Sequence, residues 1–167
     1  MRYLALAVLT LALGLPACDA PVPTQVAPEL DPPLFSLAAE TCGNIAGTVT
    51  AQFVQGEDWD IEGTLFDGDG VAVGDAFAWI DGLEPRGDGA IETRMRHRYV
   101  IDGSSLDTED RGVLSPAEPP VYRFNNRLEV VGGTGAFSEA GGMIRSHGTV
   151  DLVGGSIQLA YHGRVCP

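Results

Sequence analysis

Residues 92–101 read ETRMRHRYVI, and their alternation constrains the fold more tightly than any other feature of the chain. Successive side chains of a strand point to opposite faces. Thr93, Met95, His97, Tyr99 and Ile101 therefore share one face, and Glu92, Arg94, Arg96 and Arg98 share the other. One face is largely apolar and carries a single imidazole, while the other is charged at four successive positions before Val100. A period of 3.6 residues cannot separate these two sets, so the segment is a strand with one face buried and one in water.

The turn that follows selects its partner. Asp102-Gly103 is a favoured two-residue hairpin loop, and it pairs Ile101 with Ser104, Tyr99 with Leu106, His97 with Thr108, Arg98 with Asp107 and Arg96 with Glu109. Opposite charges meet on the outer face although the turn residues carry no information about charge, which supports the register. Exposed pairs of this kind contribute only about 0.2 to 1 kcal/mol each.

The same two-faced pattern recurs along the chain. Strands are expected over residues 45–55, 58–66 and 71–80, with the DGDG turn at 67–70 and a loop at 81–90. In residues 121–131, Tyr122, Phe124, Asn126, Leu128 and Val130 face one way, and Arg123, Asn125, Arg127 and Glu129 the other. A last hairpin through Gly154-Gly155 sets Leu152 against Ile157, Val150 against Leu159, Gly148 beneath Tyr161 and His147 against His162. With 22 Gly and 11 Pro in 167 residues, and no extended helix-period stretch beyond residue 40, the fold class is all-β in one domain. About eight strands, each with one apolar face, protect their edges by closing. A small antiparallel eight-stranded barrel is expected over residues 41–167.

The termini of that domain carry Cys42 and Cys166. First and last strands are neighbours in an up-and-down barrel, so a disulfide between them would staple the closing seam, provided the compartment is oxidising. An outer-membrane barrel is disfavoured, because the outer faces carry Arg, Asp and Glu where lipid would require apolar residues.

The N-terminus supplies the compartment. A charged start, Met1-Arg2-Tyr3, precedes a short apolar run over residues 4–15, the pattern of a secretory signal and too short to span a bilayer. Leu15-Pro16-Ala17-Cys18 resembles the lipobox of bacterial lipoproteins, with Cys18 as the acylated first residue, and Asp19 resembles a signal for inner-membrane retention. The expected organisation is a signal peptide at 1–17, a lipid-anchored Pro-rich linker at 18–40 and the barrel, placed on the periplasmic face of the cell envelope. The membrane is then met through the anchor alone. A net charge of -13 repels nucleic acid and anionic surfaces, so no nucleic-acid partner is expected.

Residues 130–142, VVGGTGAFSEAGG, begin as a dinucleotide loop would. A phosphate site needs G-x-G-x-x-G opening a helix inside a β-α-β unit, whereas here position 138 is Ser and another strand follows. Together with residues 126–131, NRLEVV, the stretch resembles the glycine-rich segment of the allene oxide cyclase and dirigent barrel superfamily, with the likeness running over residues 92–166. That resemblance implies a calycin-like eight-stranded barrel, a homotrimer, and a central cavity that fixes the conformation of a reactive substrate without a cofactor. The family's catalytic residues do not carry over. Asn44 stands alone where the cyclases have a polar cluster, and of Asp75, Asp107 and Asp110 none aligns with the acid of dirigent pockets.

Facing alone then nominates the pocket: Met95, His97, Tyr99, Tyr122, Phe124, Asn126 and Tyr161. His97 is the candidate general acid or base, because imidazole is the side-chain type on the inward face best suited to proton transfer. His147 and His162 make a weak metal pair without a third ligand, and Asp67, Asp69 and Asp75 lack the spacing of a calcium loop. No metal or cofactor is expected. Two functions fit this reading. One is binding of a small apolar molecule, with cofactor-free cyclase or isomerase activity as its catalytic form. The other is a structural or interaction module of the envelope with a packed barrel. A cavity of at least ~300 Å³ would favour the first, and an interior filled by Met95, Tyr99, Phe124 and Tyr161 the second.

Overall fold

The structure is a computed structural model that describes residues 42–167. The expected signal peptide, Cys18 and the expected Pro-rich linker lie outside the described residues. Eight strands follow one another: β1 (Gly43–Phe53), β2 (Ile61–Phe66), β3 (Ala72–Pro85), β4 (Ile91–Ile101), β5 (Ser104–Pro116), β6 (Val121–Gly133), β7 (Gly141–Asp151) and β8 (Ser156–Cys166), with one 3₁₀ turn at Gly135–Phe137. Each pairs antiparallel with its sequence neighbour, and β1 pairs with β8, so the sheet is a closed barrel without free edges. A bond between Cys42 and Cys166 joins the two strands at the seam, as the cysteine positions implied.

The β4–β5 register is the expected one throughout: Ile101 opposes Ser104, Tyr99 opposes Leu106 and His97 opposes Thr108. Arg98 forms a two-point ion pair with Asp107, at 2.8 and 3.1 Å. Arg96 does face Glu109 in register, but its guanidinium turns the other way, to Asp81 on β3. Asp81 is available because β3 runs on to Pro85 through a bulge between Ile80 and Gly82, across residues expected to be loop.

The last hairpin differs from expectation by two residues. Val150 opposes Ile157, Gly148 opposes Leu159, and Ser146, not Gly148, opposes Tyr161. The reason is Asp151, whose carboxylate accepts from the amides of Val153 and Gly154 at 3.0 and 2.8 Å. This side-chain turn holds a longer loop over residues 152–155 and overrides the two-residue Gly-Gly turn. A shift of two preserves the faces, so every inward residue stays inward. The glycine beneath the Tyr161 ring is consequently Gly47 on β1.

Inward side chains form two cores stacked along the barrel. The lower one includes Ile45, Leu65, Leu106, Leu128 and Val165, and lies at the end that carries the disulfide. Its floor is the glycine-rich stretch, where the 3₁₀ turn drives Phe137 inward until 2% of it is exposed. Gly132, Gly135 and Gly142 supply the positive φ angles of 126, 59 and 141° that this corner needs. The upper core includes Ala51, Ile61, Ala78, Met95, Leu114, Phe124, Val150 and Ile157.

Candidate functional site

Between the two cores the interior turns polar. β4 presents Thr93 and His97, β5 presents Thr108 and Asp110, β6 presents Asn126 and β7 presents Ser146. Thr93, Thr108, Asp110, Asn126 and Ser146 are buried. Their meeting follows from register: His97 opposes Thr108, Asp110 opposes Met95, and Gly112 opposes Asn126. The Asp110 side chain has no exposed surface. One carboxylate oxygen accepts from Thr108 Oγ1 at 2.7 Å, and the other accepts from Asn126 Nδ2 at 3.3 Å and faces His97 Nδ1 in close contact. A carboxylate this deep is tolerated because three groups address it.

Tyr99 stacks on His97, with ring centroids 5.7 Å apart and planes 11° apart. Burial, then the charge of Asp110, raises the Tyr99 phenol well above its ordinary value, so it stays protonated. Tyr161, whose hydroxyl donates to the carbonyl of Phe66 at 3.1 Å, is pushed up to about 12, mainly by burial and secondarily by Asp67.

Above this girdle lies an apolar cavity of about 110 Å³. Its wall includes Ala51, Ile61, Met95, Phe124, Val150 and Leu159, and it is met by Thr93, His97, Tyr99, Ser146 and Tyr161. Leu83 and Leu152, both exposed, stand at its upper rim. The volume is smaller than the ~300 Å³ at which drug-sized pockets begin, because Met95 and Phe124 fill part of the space. It is close to voids of roughly 150 Å³ that accept one aromatic ring. The hydroxyl of Thr93, itself 3% exposed, has no hydrogen-bond partner among the described residues.

Of the residues nominated by facing, Met95, His97, Tyr99, Phe124 and Tyr161 line this cavity. Asn126 is buried just outside it, engaged with Asp110, and Tyr122 packs against the upper core. Asp110 is the inward acid of the three considered, since Asp107 holds Arg98 on the outside and Asp75 is exposed. Asn44 is exposed on β1. His147 and His162 stand exposed on the outer wall with ring centroids 6.3 Å apart. Asp67 accepts from the amides of Asp69 and Val71, closing the DGDG turn.

The chain is similar to the pterocarpan synthase dirigent protein GePTS1, with 18% identity over 76% of this chain and 86% of that one and a TM-score of 0.41. No protein-family model matches the sequence, and no curated protein matches it.

With Nδ1 directed at Asp110, the imidazole has Nε2 left for other chemistry. A carboxylate in this position favours the tautomer with the proton on Nδ1 and leaves Nε2 a lone pair. The site can therefore hold a small apolar body, hydrogen-bond one polar atom through Thr93, and exchange a proton at His97.

Proposed function

We propose that the barrel binds a small, mostly apolar molecule of about single-ring size in its upper cavity, with the molecule's polar atom directed to Thr93 and His97. The observation that carries this reading is that His97 stands at the wall of a mostly apolar cavity with the fully buried Asp110 behind it. Ionisable pairs are costly to bury and contribute little net stability compared with apolar packing, and they concentrate where a ligand is handled. In a catalytic form of the same reading, His97 moves a proton on the bound molecule, giving cofactor-free isomerisation or cyclisation in which the walls fix the conformation. The apolar start of the chain and the lipobox-like residues ending at Cys18 support placing this protein in the envelope, secreted and tethered by lipid.

The second reading, a packed structural or interaction module, is favoured by the modest cavity volume of about 110 Å³. Phenol and benzene separate the two readings, because they share a shape and differ in one hydroxyl. NMR titration is expected to shift the resonances of Thr93, His97 and Leu159 with phenol, more strongly than with benzene. Native mass spectrometry of protein from its own host should also retain a small mass. A barrel that responds to neither compound and carries no retained mass is the packed module.

A further inference from the structure

The outer wall holds an arrangement unrelated to the cavity. In register, Arg94 of β4 opposes Arg111 of β5, Arg111 opposes Arg127 of β6, Arg127 opposes Arg145 of β7, and Arg145 opposes His162 of β8. Four guanidiniums thus stand in one line across four adjacent strands, in a chain whose net charge is -13. Arg94 is paired with Glu84. Arg111, Arg127 and Arg145 have no carboxylate partner among the described residues, and the Nε of Arg127 donates to the sulfur of Met143 at 3.0 Å. Like charges placed directly opposite on neighbouring strands destabilise a sheet, so the row lowers the stability of the free protein.

We propose that this row is a binding site for a small, multiply charged oxyanion. At the strand spacing of ~4.8 Å the four positions span about 14 Å. They border a groove of about 710 Å³ that Asn125, His147 and His162 also line, together with Glu92 and with Glu84, which Arg94 engages; the volume is that of a small-molecule site. Guanidinium forks match phosphate and carboxylate oxygens two at a time. The ligand is compact and not a long polymer, because the row is flanked two residues along by Glu109 and Glu129 and the surrounding surface is acidic. A polymer would have to cross those carboxylates, whereas a molecule carrying two or three anionic groups at about the strand repeat can sit on Arg111, Arg127 and Arg145, the three arginines of the row without a carboxylate partner among the described residues.

Tripolyphosphate and citrate are the probes, one for each oxyanion chemistry, titrated calorimetrically at constant ionic strength. At least one is expected to bind and to raise the unfolding temperature. Arg127→Gln should weaken that binding about ten-fold, while Arg123→Gln, which removes the same charge from the same strand outside the row, should leave it within about two-fold. Without ligand, Arg127→Gln should be more resistant to denaturant than the wild type. Failure of both anions to bind, equal loss in the two variants, or a less stable Arg127→Gln would each overturn the proposal. None of these outcomes depends on the cavity or on His97.

Discussion

His97 Nδ1 and Asp110 Oδ2 meet inside the barrel from adjacent strands, although neither residue is the other's register partner: His97 opposes Thr108, and Asp110 opposes Met95. The diagonal contact makes each residue dependent on the other. His97→Leu leaves a carboxylate in the core without its imidazole and should destabilise the protein by about 3 to 5 kcal/mol. Combining it with Asp110→Leu should recover most of that loss while abolishing the response to phenol. Urea unfolding of the two single variants and the double variant measures the coupling. Additive losses would show that the contact is energetically idle. His97→Ala is accordingly a poor test of catalysis, because stability would fall along with activity.

Raised tyrosines predict alkaline sensitivity with a definite sign. Tyr161 is pushed from 10.0 up to about 12 in the folded protein, so between those values the unfolded chain has already lost the proton that the folded chain keeps. The unfolded state binds fewer protons there, and stability falls as pH rises. The contribution is complete below pH 10 and is lost as pH passes through about 12. Tyr161→Phe should flatten this decline in part, since Tyr99 is also raised. The measurement is the urea midpoint as a function of pH, and an unchanged slope in the variant would contradict the assignment.

Gly47 leaves no room for a methyl group. A Cβ there would run into the backbone carbonyl oxygen of Phe66 and lie 2.6 Å from the Tyr161 hydroxyl oxygen and 2.8 Å from the ring carbon that bears it, so it would displace the hydrogen bond between those two groups. Gly47→Ala should cost about 1 to 3 kcal/mol. At Gly141 nothing lies within 4 Å of the same added atom, so Gly141→Ala should change stability far less. Comparing the two melting curves separates crowding from a general effect of replacing glycine.

Across the seam, Cys42 and Cys166 are separated by 124 positions. On the chain-entropy account, closing a loop of that length stabilises the fold by about 4 to 5 kcal/mol. A Cys42→Ser, Cys166→Ser double variant should unfold at correspondingly lower denaturant and be indifferent to reductant. A reductant-sensitive midpoint in the double variant would point to another source.

How much of this was legible differed from hairpin to hairpin. At Asp102-Gly103 the turn chemistry, the alternation and the outer charges agree, and the structure keeps every register pair, although Arg96 takes Asp81 in place of Glu109. At residues 152–155 the glycines suggested a tight turn, but the carboxylate of Asp151 captures two amides and lengthens the loop. A side-chain turn of that kind competes invisibly with a backbone one in a sequence. His97 stood out because its neighbours on one face are apolar and those on the other are charged. Asp110 did not, because residues 107–112, DTEDRG, are polar on both faces and hide the alternation. The arginine row was hidden for a different reason: its members lie on four strands, and only the registers bring them into line.

The bond between the first and last strands also changes what a cut in the chain can do. Strand order around the barrel is already circular, and the Cys42–Cys166 link makes the covalent path circular as well. A protease that opens any loop between the strands, such as the one at residues 152–155, would liberate no piece of the barrel. The nicked protein would keep its mass and all eight strands in their places, and would come apart into two fragments only after reduction and unfolding.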